Sequence, residues 1–188
     1  LKDVNPAHIS KSLVIKQRLE AVRAMRLNST KKATQELAST PHLFGEIRQP
    51  ASNYVGIPAV VSEARPFYTV AHLSADVIAG NKLYTAIDPD GFLFAIISSS
   101  MFITWQKAVG GRLKSDLNFS NTLVWNNLPL PPVDEKLRID IIAAGQKILK
   151  VREALTDKHE EAVSLADLYN PLAMSPELLA AHRELDSL

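Results

Sequence analysis

The sequence of 188 residues contains no cysteine. Disulfide frameworks and zinc sites built from thiolates are therefore excluded, because both need cysteine sulfur. Disulfide-free chains are typical of reducing compartments, so we expect an intracellular, cytoplasmic location.

No hydrophobic run is long enough to cross a bilayer. The longest apolar stretch, residues 92–105, is interrupted by three serines at 98–100, and a transmembrane helix needs roughly 18–20 apolar residues. The stretch therefore predicts a buried helix, and we expect no membrane partner. The chain opens on Leu1-Lys2-Asp3 without the features of a secretory signal. We expect it to begin within a longer polypeptide.

Motifs for catalysis are missing as well. A DNA amino-methyltransferase uses a glycine-rich turn for its methyl donor and an Asn/Asp-Pro-Pro-aromatic loop around a flipped base, and the sequence has neither. Carboxylates at Asp90 and at 134–135 lack the clustering of a metal-dependent nuclease and are interpreted as turn and cap residues. The histidines show no metal-ligand spacing and are interpreted as surface or packing residues: His8, His42, His72, His159 and His182. We predict no catalytic residue, metal or cofactor in this chain.

Charge is nearly balanced overall, at +1, but it is unevenly distributed. Residues 1–50 carry nine Lys/Arg and four Asp/Glu, residues 51–132 carry five of each, and residues 133–188 carry seven and eleven. The basic first part is suited to lie along a phosphate backbone. An ordinary solvated helix face explains the same charges equally well.

Apolar spacing predicts helices at both ends of the chain. One long amphipathic helix or a broken pair is expected between residues 6 and 25, then a short helix capped by Ser29-Thr30 and stopped by Pro41. Near the other end, the spacing predicts helices at 134–155, 164–169 and 175–185.

Between these helices the pattern changes to short β-rich runs separated by turn residues. Strands are predicted at 43–47, 54–61, 67–72, 82–87 and 122–125, with a buried helix at 91–108 and a proline-stiffened exit at 126–132. The expected fold class is α+β: a mixed or antiparallel sheet packed on a buried helix, with N-terminal helices and a helical C-terminal tail.

A polar segment, residues 112–119, lies between the buried helix and the last predicted strand, which is typical of a surface loop. In an extended segment Lys114 and Asp116 point to the same side, and Arg112 and Asn118 continue that face. A lysine that donates to guanine and an aspartate that accepts from cytosine can together read one G·C pair. A surface ion pair between the two side chains is the alternative.

Six phrases across the chain resemble the MmeI-like, type IIL family of restriction-modification enzymes. They are LFGEIRQP at 43–50, IPAVVSEARP at 57–66, SSSMFITW at 98–105, GRLKSD at 111–116, VWNNLP at 124–129 and SLADLYNPL at 164–172. Members join an endonuclease to an adenine-N6 DNA methyltransferase in one chain. The resemblance implies a helical connector at 1–42, a target-recognition domain at 43–132 and a C-terminal helical tail at 133–188.

The resemblance also implies which residues contact DNA. Its base-reading pair falls on Lys114 and Asp116, with Ser115 between them, and Asn118 matches a further specificity position. Another specificity position falls on Asn81 or Lys82. This chain departs from the usual pattern at Leu117 and Asn118, where the family has an aromatic residue followed by arginine, so the preference at the neighbouring base stays open.

Framework and DNA-contact roles remain open for the other family positions. Ser62, Glu63 and Arg65 are assigned to DNA contact or loop organisation, and an ion pair between Glu63 and Arg65 is favoured. Asn126 and Asn127 either touch DNA or cap the proline-rich exit. Arg112 is interpreted as a phosphate or framework contact.

The partners implied are double-stranded DNA and the methyltransferase and nuclease domains of the same parent chain. The parent would use S-adenosylmethionine, and Mg²⁺ for cleavage. A protein-interaction module, with the acidic tail docking a subunit, is the alternative function.

Overall fold

A computed structural model describes residues 1, 4–158 and 163–188. His159 lies outside the described residues. The chain forms two units, Leu1–Arg48 and Gln49–Leu188. The first unit is helical, with α1 (Pro6–Lys11), α2 (Leu13–Leu27) and α3 (Lys32–Glu36) followed by a 3-10 turn, Leu37–Ser39.

Side-chain caps set the start of the first two helices. The Asn5 side chain accepts from the first turn of α1 at 2.9 Å, and the Ser12 hydroxyl accepts from Ile15 of α2 at 3.4 Å. The chain therefore breaks at Ser12, and of the two predicted alternatives the broken pair is confirmed. The predicted cap of α3 is wrong, because Ser29 accepts from Lys31 in the turn before that helix.

The predicted strand at 43–47 is also wrong. Arg26 donates to the carbonyls of Leu37, Thr40 and Leu43 at 2.7–2.9 Å, which holds the segment after the 3-10 turn against α2. Residues 44–48 are exposed and pair with no strand among the described residues. β propensity alone does not make a strand without a neighbour to complete its hydrogen bonds.

The second unit contains two three-stranded antiparallel sheets. In the first, β1 (Tyr54–Pro58) lies between β3 (Ala71–Leu73) and β4 (Leu83–Ile87). In the second, β6 (Asp116–Asn118) lies between β2 (Val60–Val61) and β5 (Gly111–Leu113).

The predicted strands are only partly correct. The run 82–87 is confirmed as β4, but the run 54–61 divides at Ala59 into β1 and β2, which belong to different sheets. In the run 67–72 only the last two residues belong to a strand, β3. Phe67, Tyr68 and Val70 are buried core residues that pair with no strand among the described residues.

The buried helix predicted at 91–108 forms as two helices. α4 (Phe92–Ser98) and α5 (Ser100–Val109) are bent by 64° at Ser99. Ser99 is extended, and its hydroxyl accepts from Phe102 at 3.2 Å, so it caps α5. Among the described residues no single helix is long and apolar enough to cross a membrane; α4 and α5 pass only as a bent pair.

The strand predicted at 122–125 is a π-helical turn, Asn121–Trp125. Its β-branched and aromatic residues suggested a strand, but tertiary contacts override that propensity. The Ser120 hydroxyl accepts from Leu123 at 3.3 Å, and the Trp105 indole donates to the Val124 carbonyl at 2.9 Å.

The helices of the C-terminal tail follow the prediction closely. α6 (Glu135–Asp157), α7 (Leu165–Leu168) and α8 (Pro176–Asp186) are capped by Asp134, Ser164 and Ser175. The α+β class with antiparallel sheets and a helical tail is confirmed. The domain boundaries at 42/43 and 132/133 stay predictions.

α6 packs on α4 at very short range. A Cβ placed on Gly145 would lie 2.8 Å from the Cβ of Ala95, and Gly145 and Ala95 are both buried. Only glycine leaves room for this approach of the two helices.

A buried polar network ties the tail to the rest of this unit. Arg152, 5% exposed, donates to the Tyr169 hydroxyl at 2.7 Å and to the Val70 carbonyl at 2.7 Å. The same hydroxyl lies 2.6 Å from Nε2 of His182, whose Nδ1 lies 3.0 Å from the Ser98 carbonyl. A carbonyl only accepts, so Nδ1 carries the proton, and Tyr169 donates to Nε2.

The electrostatics of the network agree with that assignment. Burial, with the nearby Arg152 charge, lowers the pKa of His182 to about 3, so this ring is neutral. Burial raises the pKa of the Tyr169 phenol, which keeps its proton for His182.

We predict that Gly145→Ala destabilises the chain. In a helix interior this change normally stabilises by about 0.5–1 kcal/mol, but here the added methyl overpacks against Ala95, which costs about 1–3 kcal/mol. Urea unfolding followed by tryptophan fluorescence measures it, since both tryptophans, Trp105 and Trp125, lie in the second unit. The control is Ala143→Gly at an exposed α6 position, expected to lose about 0.5–1 kcal/mol. A gain in stability for Gly145→Ala would show that the helices can move apart freely.

We predict an acid-induced loss of stability that depends on His182. The folded ring stays neutral down to about pH 3, whereas the unfolded ring takes a proton near pH 6.5. The contribution of His182 to the free energy of unfolding is thus complete above pH 6.5. It falls as the pH drops toward 3, by up to about 1.4 kcal/mol per pH unit. Unfolding free energies between pH 6.5 and 5 should slope less in His182→Gln, whereas His8→Gln, at an exposed position, should keep the wild-type slope. Equal slopes in all three proteins would refute a neutral His182.

Candidate nucleic-acid interface

The polar segment 112–119 forms a β-hairpin. β5 and β6 pair through Leu113 with Asp116, Arg112 with Leu117 and Gly111 with Asn118, so Lys114 and Ser115 form a two-residue turn. Lys114 has a φ of +58° and is the one non-glycine residue with positive φ among the described residues. Such a backbone costs about 1–3 kcal/mol and is common at functional sites.

The two faces of the hairpin differ. Residues that pair directly across antiparallel strands share a face, and neighbours along a strand alternate. Leu117 and Val61 are buried, which places Arg112, the partner of Leu117, on the inner side. Asp116 and Asn118 lie on the opposite, open face.

The open face also carries Leu113 and Val60, the pairing partners of Asp116 and Asn118, and both are exposed. The expectation that Arg112, Lys114, Asp116 and Asn118 share one face is therefore wrong. It assumed a continuously extended segment, whereas the turn at Lys114 and Ser115 resets the alternation.

An ion pair supports the inner side of the hairpin. Nη1 of Arg112 lies 2.8 Å from Oε1 of Glu63 and donates to the Ser115 carbonyl at 3.1 Å. The predicted pair of Glu63 with Arg65 is wrong, because Arg65 donates to the Ala166 carbonyl at 2.8 Å instead.

The alternative ion pair between Lys114 and Asp116 is not formed either. Neither side chain pairs with an opposite charge in the described part of the chain. Lys114 stands in the turn, and Asp116 is the first residue of β6.

The base of the hairpin rests on a buried amide. Gln106 of α5 is fully buried, and its Nε2 donates to the Asn118 carbonyl at 3.2 Å. A Cβ on Gly110 would lie 1.9 Å from that nitrogen. Gln106 was not predicted as a supporting residue, although a lone glutamine inside an apolar helix is a signal of a buried hydrogen bond.

Lys82 and Asn118 flank one short segment. Ala59 donates to the Lys82 carbonyl at 2.8 Å and accepts from Phe119 at 2.9 Å, while Val60 pairs with Asn118. Asn81 directly precedes Lys82, and Ser62 lies two residues after Val60. The structure thus brings Asn81, Lys82, Ser62 and the hairpin to one region.

The two asparagines after the hairpin behave differently. Asn127 donates to the Thr122 and Leu123 carbonyls at 2.8 and 3.1 Å, so it caps the π-helical turn. Asn126 is exposed. The capping alternative therefore describes the Asn127 side chain, although at the preceding turn and not at the proline-rich exit.

The carboxylates interpreted as turn and cap residues have those contacts. Asp90 accepts from Phe92 at 3.1 Å and pairs with Arg138 at 2.6 Å, and Asp134 accepts from Leu137 at 2.8 Å. Among the described residues no three His, Asp or Glu side chains come together as a metal site.

The geometry defines an α+β protein that presents a braced hairpin and ends in a helical tail. Residues 1–132 match the family described as "MmeI, target recognition domain" and residues 133–188 match "MmeI, C-terminal domain". The chain therefore belongs to the MmeI family, as its target recognition and C-terminal domains.

Two longer proteins resemble the whole chain. It is 34% identical over 188 residues to DNA methyltransferase A of Bacillus subtilis (strain 168), and it spans 21% of that protein. It also matches a solved structure of the type IIL restriction-modification enzyme MmeI in complex with DNA. That match has a TM-score of 0.87 and 35% identity, over 98% of this chain and 24% of the other. The chain thus spans about a quarter or less of these relatives.

We predict that Gly110→Ala damages the base of the hairpin. The methyl group would collide with Gln106 and displace it from Asn118, which should cost about 1–3 kcal/mol of stability. Gly80→Ala is the matched control, because a Cβ there meets nothing within 4 Å, and it should be neutral or stabilise by up to about 1 kcal/mol. Thermal unfolding compares the two variants, and equal melting temperatures would contradict the close contact.

Proposed function

We propose that this chain recognises a specific sequence in double-stranded DNA for a restriction-modification enzyme. The observation that carries the proposal is the β5/β6 hairpin, a two-stranded ribbon whose exposed tip is Lys114 and Ser115 and whose open face carries Asp116 and Asn118 beside the exposed Leu113. The major groove of B-DNA admits such a ribbon. Membership in the target recognition family and the likeness to an enzyme solved with DNA support this role.

Lys114 and Asp116 are the proposed readers of one G·C pair. A lysine ammonium donates to guanine O6 or N7, and a carboxylate accepts from the cytosine N4 amine. Lys114 stands in the turn, Asp116 opens β6 on the outer face, and neither is occupied by an ion pair with a described residue. Asn118, with Asn81 or Lys82, is proposed to contact a neighbouring base pair.

The parent enzyme is proposed to methylate adenine at N6 and to cleave DNA. The similarity to a DNA methyltransferase and to a restriction-modification enzyme supports this parent. S-adenosylmethionine and Mg²⁺ are proposed to bind in other domains of the parent, and the similarity to a DNA methyltransferase and to a restriction-modification enzyme supports this assignment.

We predict that Lys114→Ala with Asp116→Ala relaxes discrimination at one base pair. Losing the donor and acceptor should remove about 1–3 kcal/mol of preference for the correct pair. Exchanging the two residues, Lys114→Asp with Asp116→Lys, should favour C·G over G·C. Methylation by the full-length enzyme of duplexes that vary at each position of its site measures both effects.

Two controls separate recognition from folding. Lys114→Gly should relieve the positive φ and stabilise the fold, yet still weaken discrimination. Lys150→Ala with Glu153→Ala removes a lysine and an acid from exposed positions of α6. This double variant should leave base-pair discrimination unchanged. Unchanged base-pair discrimination in the variant with Lys114→Ala and Asp116→Ala would refute the proposed readout. Duplex DNA binding without salt dependence would favour a protein-interaction module instead.

A further inference from the structure

The Glu63/Arg112 ion pair spans the whole second sheet. Arg112 lies on β5 at one edge, Glu63 follows β2 at the other edge, and β6 with Asp116 lies between them. Arg112 is on the inner side, opposite the face that carries Asp116 and Asn118. The ion pair links both edges of the sheet behind the proposed reading face.

The same guanidinium also holds the turn. Nη1 of Arg112 donates to the carbonyl of Ser115, the residue between Lys114 and Asp116. One nitrogen therefore contacts both the Glu63 carboxylate, at 2.8 Å, and the turn backbone, at 3.1 Å. Rotation of Arg112 away from Glu63 would also release the turn.

Folding alone gives little reason for this contact. The Arg112 and Glu63 side chains are 37% and 51% exposed, and ion pairs this exposed add little stability. Base reading has a stricter requirement, because reading side chains must be held within about half an ångström by supporting contacts.

We propose that Glu63 and Arg112 are positioning residues that hold Lys114 and Asp116 in register for base discrimination. The inference rests on the proposed function of the hairpin. Arg112 then acts through the turn and contributes to specificity without adding to general DNA affinity.

A phosphate contact by Arg112 is the competing explanation, and it gives opposite results. In that case Arg112→Ala weakens binding to every duplex and reduces the salt slope by about one. Glu63→Ala then strengthens binding to every duplex, because it removes an acid beside the phosphate and frees Arg112. Positioning instead predicts the same loss of discrimination from either variant.

The experiment uses the full-length enzyme with Glu63→Ala, Arg112→Ala and the double variant. Dissociation constants are measured for the preferred duplex, a duplex changed at the base pair read by Lys114 and Asp116, and an unrelated duplex, at two salt concentrations. Preference for the correct base pair should fall from about 5- to 150-fold toward that of the variant lacking Lys114 and Asp116. Affinity for the unrelated duplex and the salt slope should stay unchanged.

Coupling provides the second readout. The double variant should lose no more discrimination than either single variant, because both remove the same contact. Glu184→Ala is the control, since it breaks the exposed pair with Lys147 in the tail, and it should leave discrimination intact.

Each outcome decides between the hypotheses. If the Lys114 and Asp116 variant loses discrimination while Glu63→Ala and Arg112→Ala retain it, the positioning role is overturned and the proposed function stands. If all three variants retain discrimination, both the positioning role and the proposed readout are refuted. Uniform changes in affinity, with opposite signs for Glu63→Ala and Arg112→Ala, would identify a phosphate contact.

Discussion

The second unit depends on the buried guanidinium of Arg152. This group is 5% exposed, and its hydrogen bonds reach the Val70 carbonyl and the Tyr169 hydroxyl, while its charge lies over the Phe94 and Tyr169 rings. A buried cation is costly unless its donors are satisfied. Because those partners come from the sheet region, from α4 and from the segment after α7, the fold is stable only when all three are in place.

The network continues from Arg152 toward the hairpin. The Tyr169 hydroxyl donates to His182, and His182 in turn donates to the Ser98 carbonyl at the end of α4. Ser99 then starts α5 in a new direction. α5 carries Gln106 under Asn118 and leads through Gly110 into β5. The helical tail and the hairpin are therefore connected through the hydrogen bond to Ser98 and the α5 helix that follows it.

Local signals predicted the tail well and the middle of the chain poorly. Asp134, Ser164 and Ser175 cap their helices within a few residues of chain, so sequence alone places α6, α7 and α8. The strand predicted at 122–125 failed because the Trp105 indole and the Ser120 hydroxyl shape a turn there. The loop held by Arg26 likewise depends on contacts with residues 11–17 positions away in the chain.

The candidate site shows the same division. Resemblance implies Lys114 and Asp116 as the base-reading pair, which stays a proposal. Alternation along an extended chain misplaced Arg112, because the turn between β5 and β6 was not foreseen. The partner of Arg112 is Glu63, which lies far from it in the sequence. Arg65 is much nearer to Glu63 along the chain, so the sequence favoured the wrong partner. Leu117 fills the core between Asp116 and Asn118, so both open-face positions can change while Leu117 stays buried. Substitutions at these open-face positions therefore remove no core contact, so the proposed reading face can vary without loss of the fold.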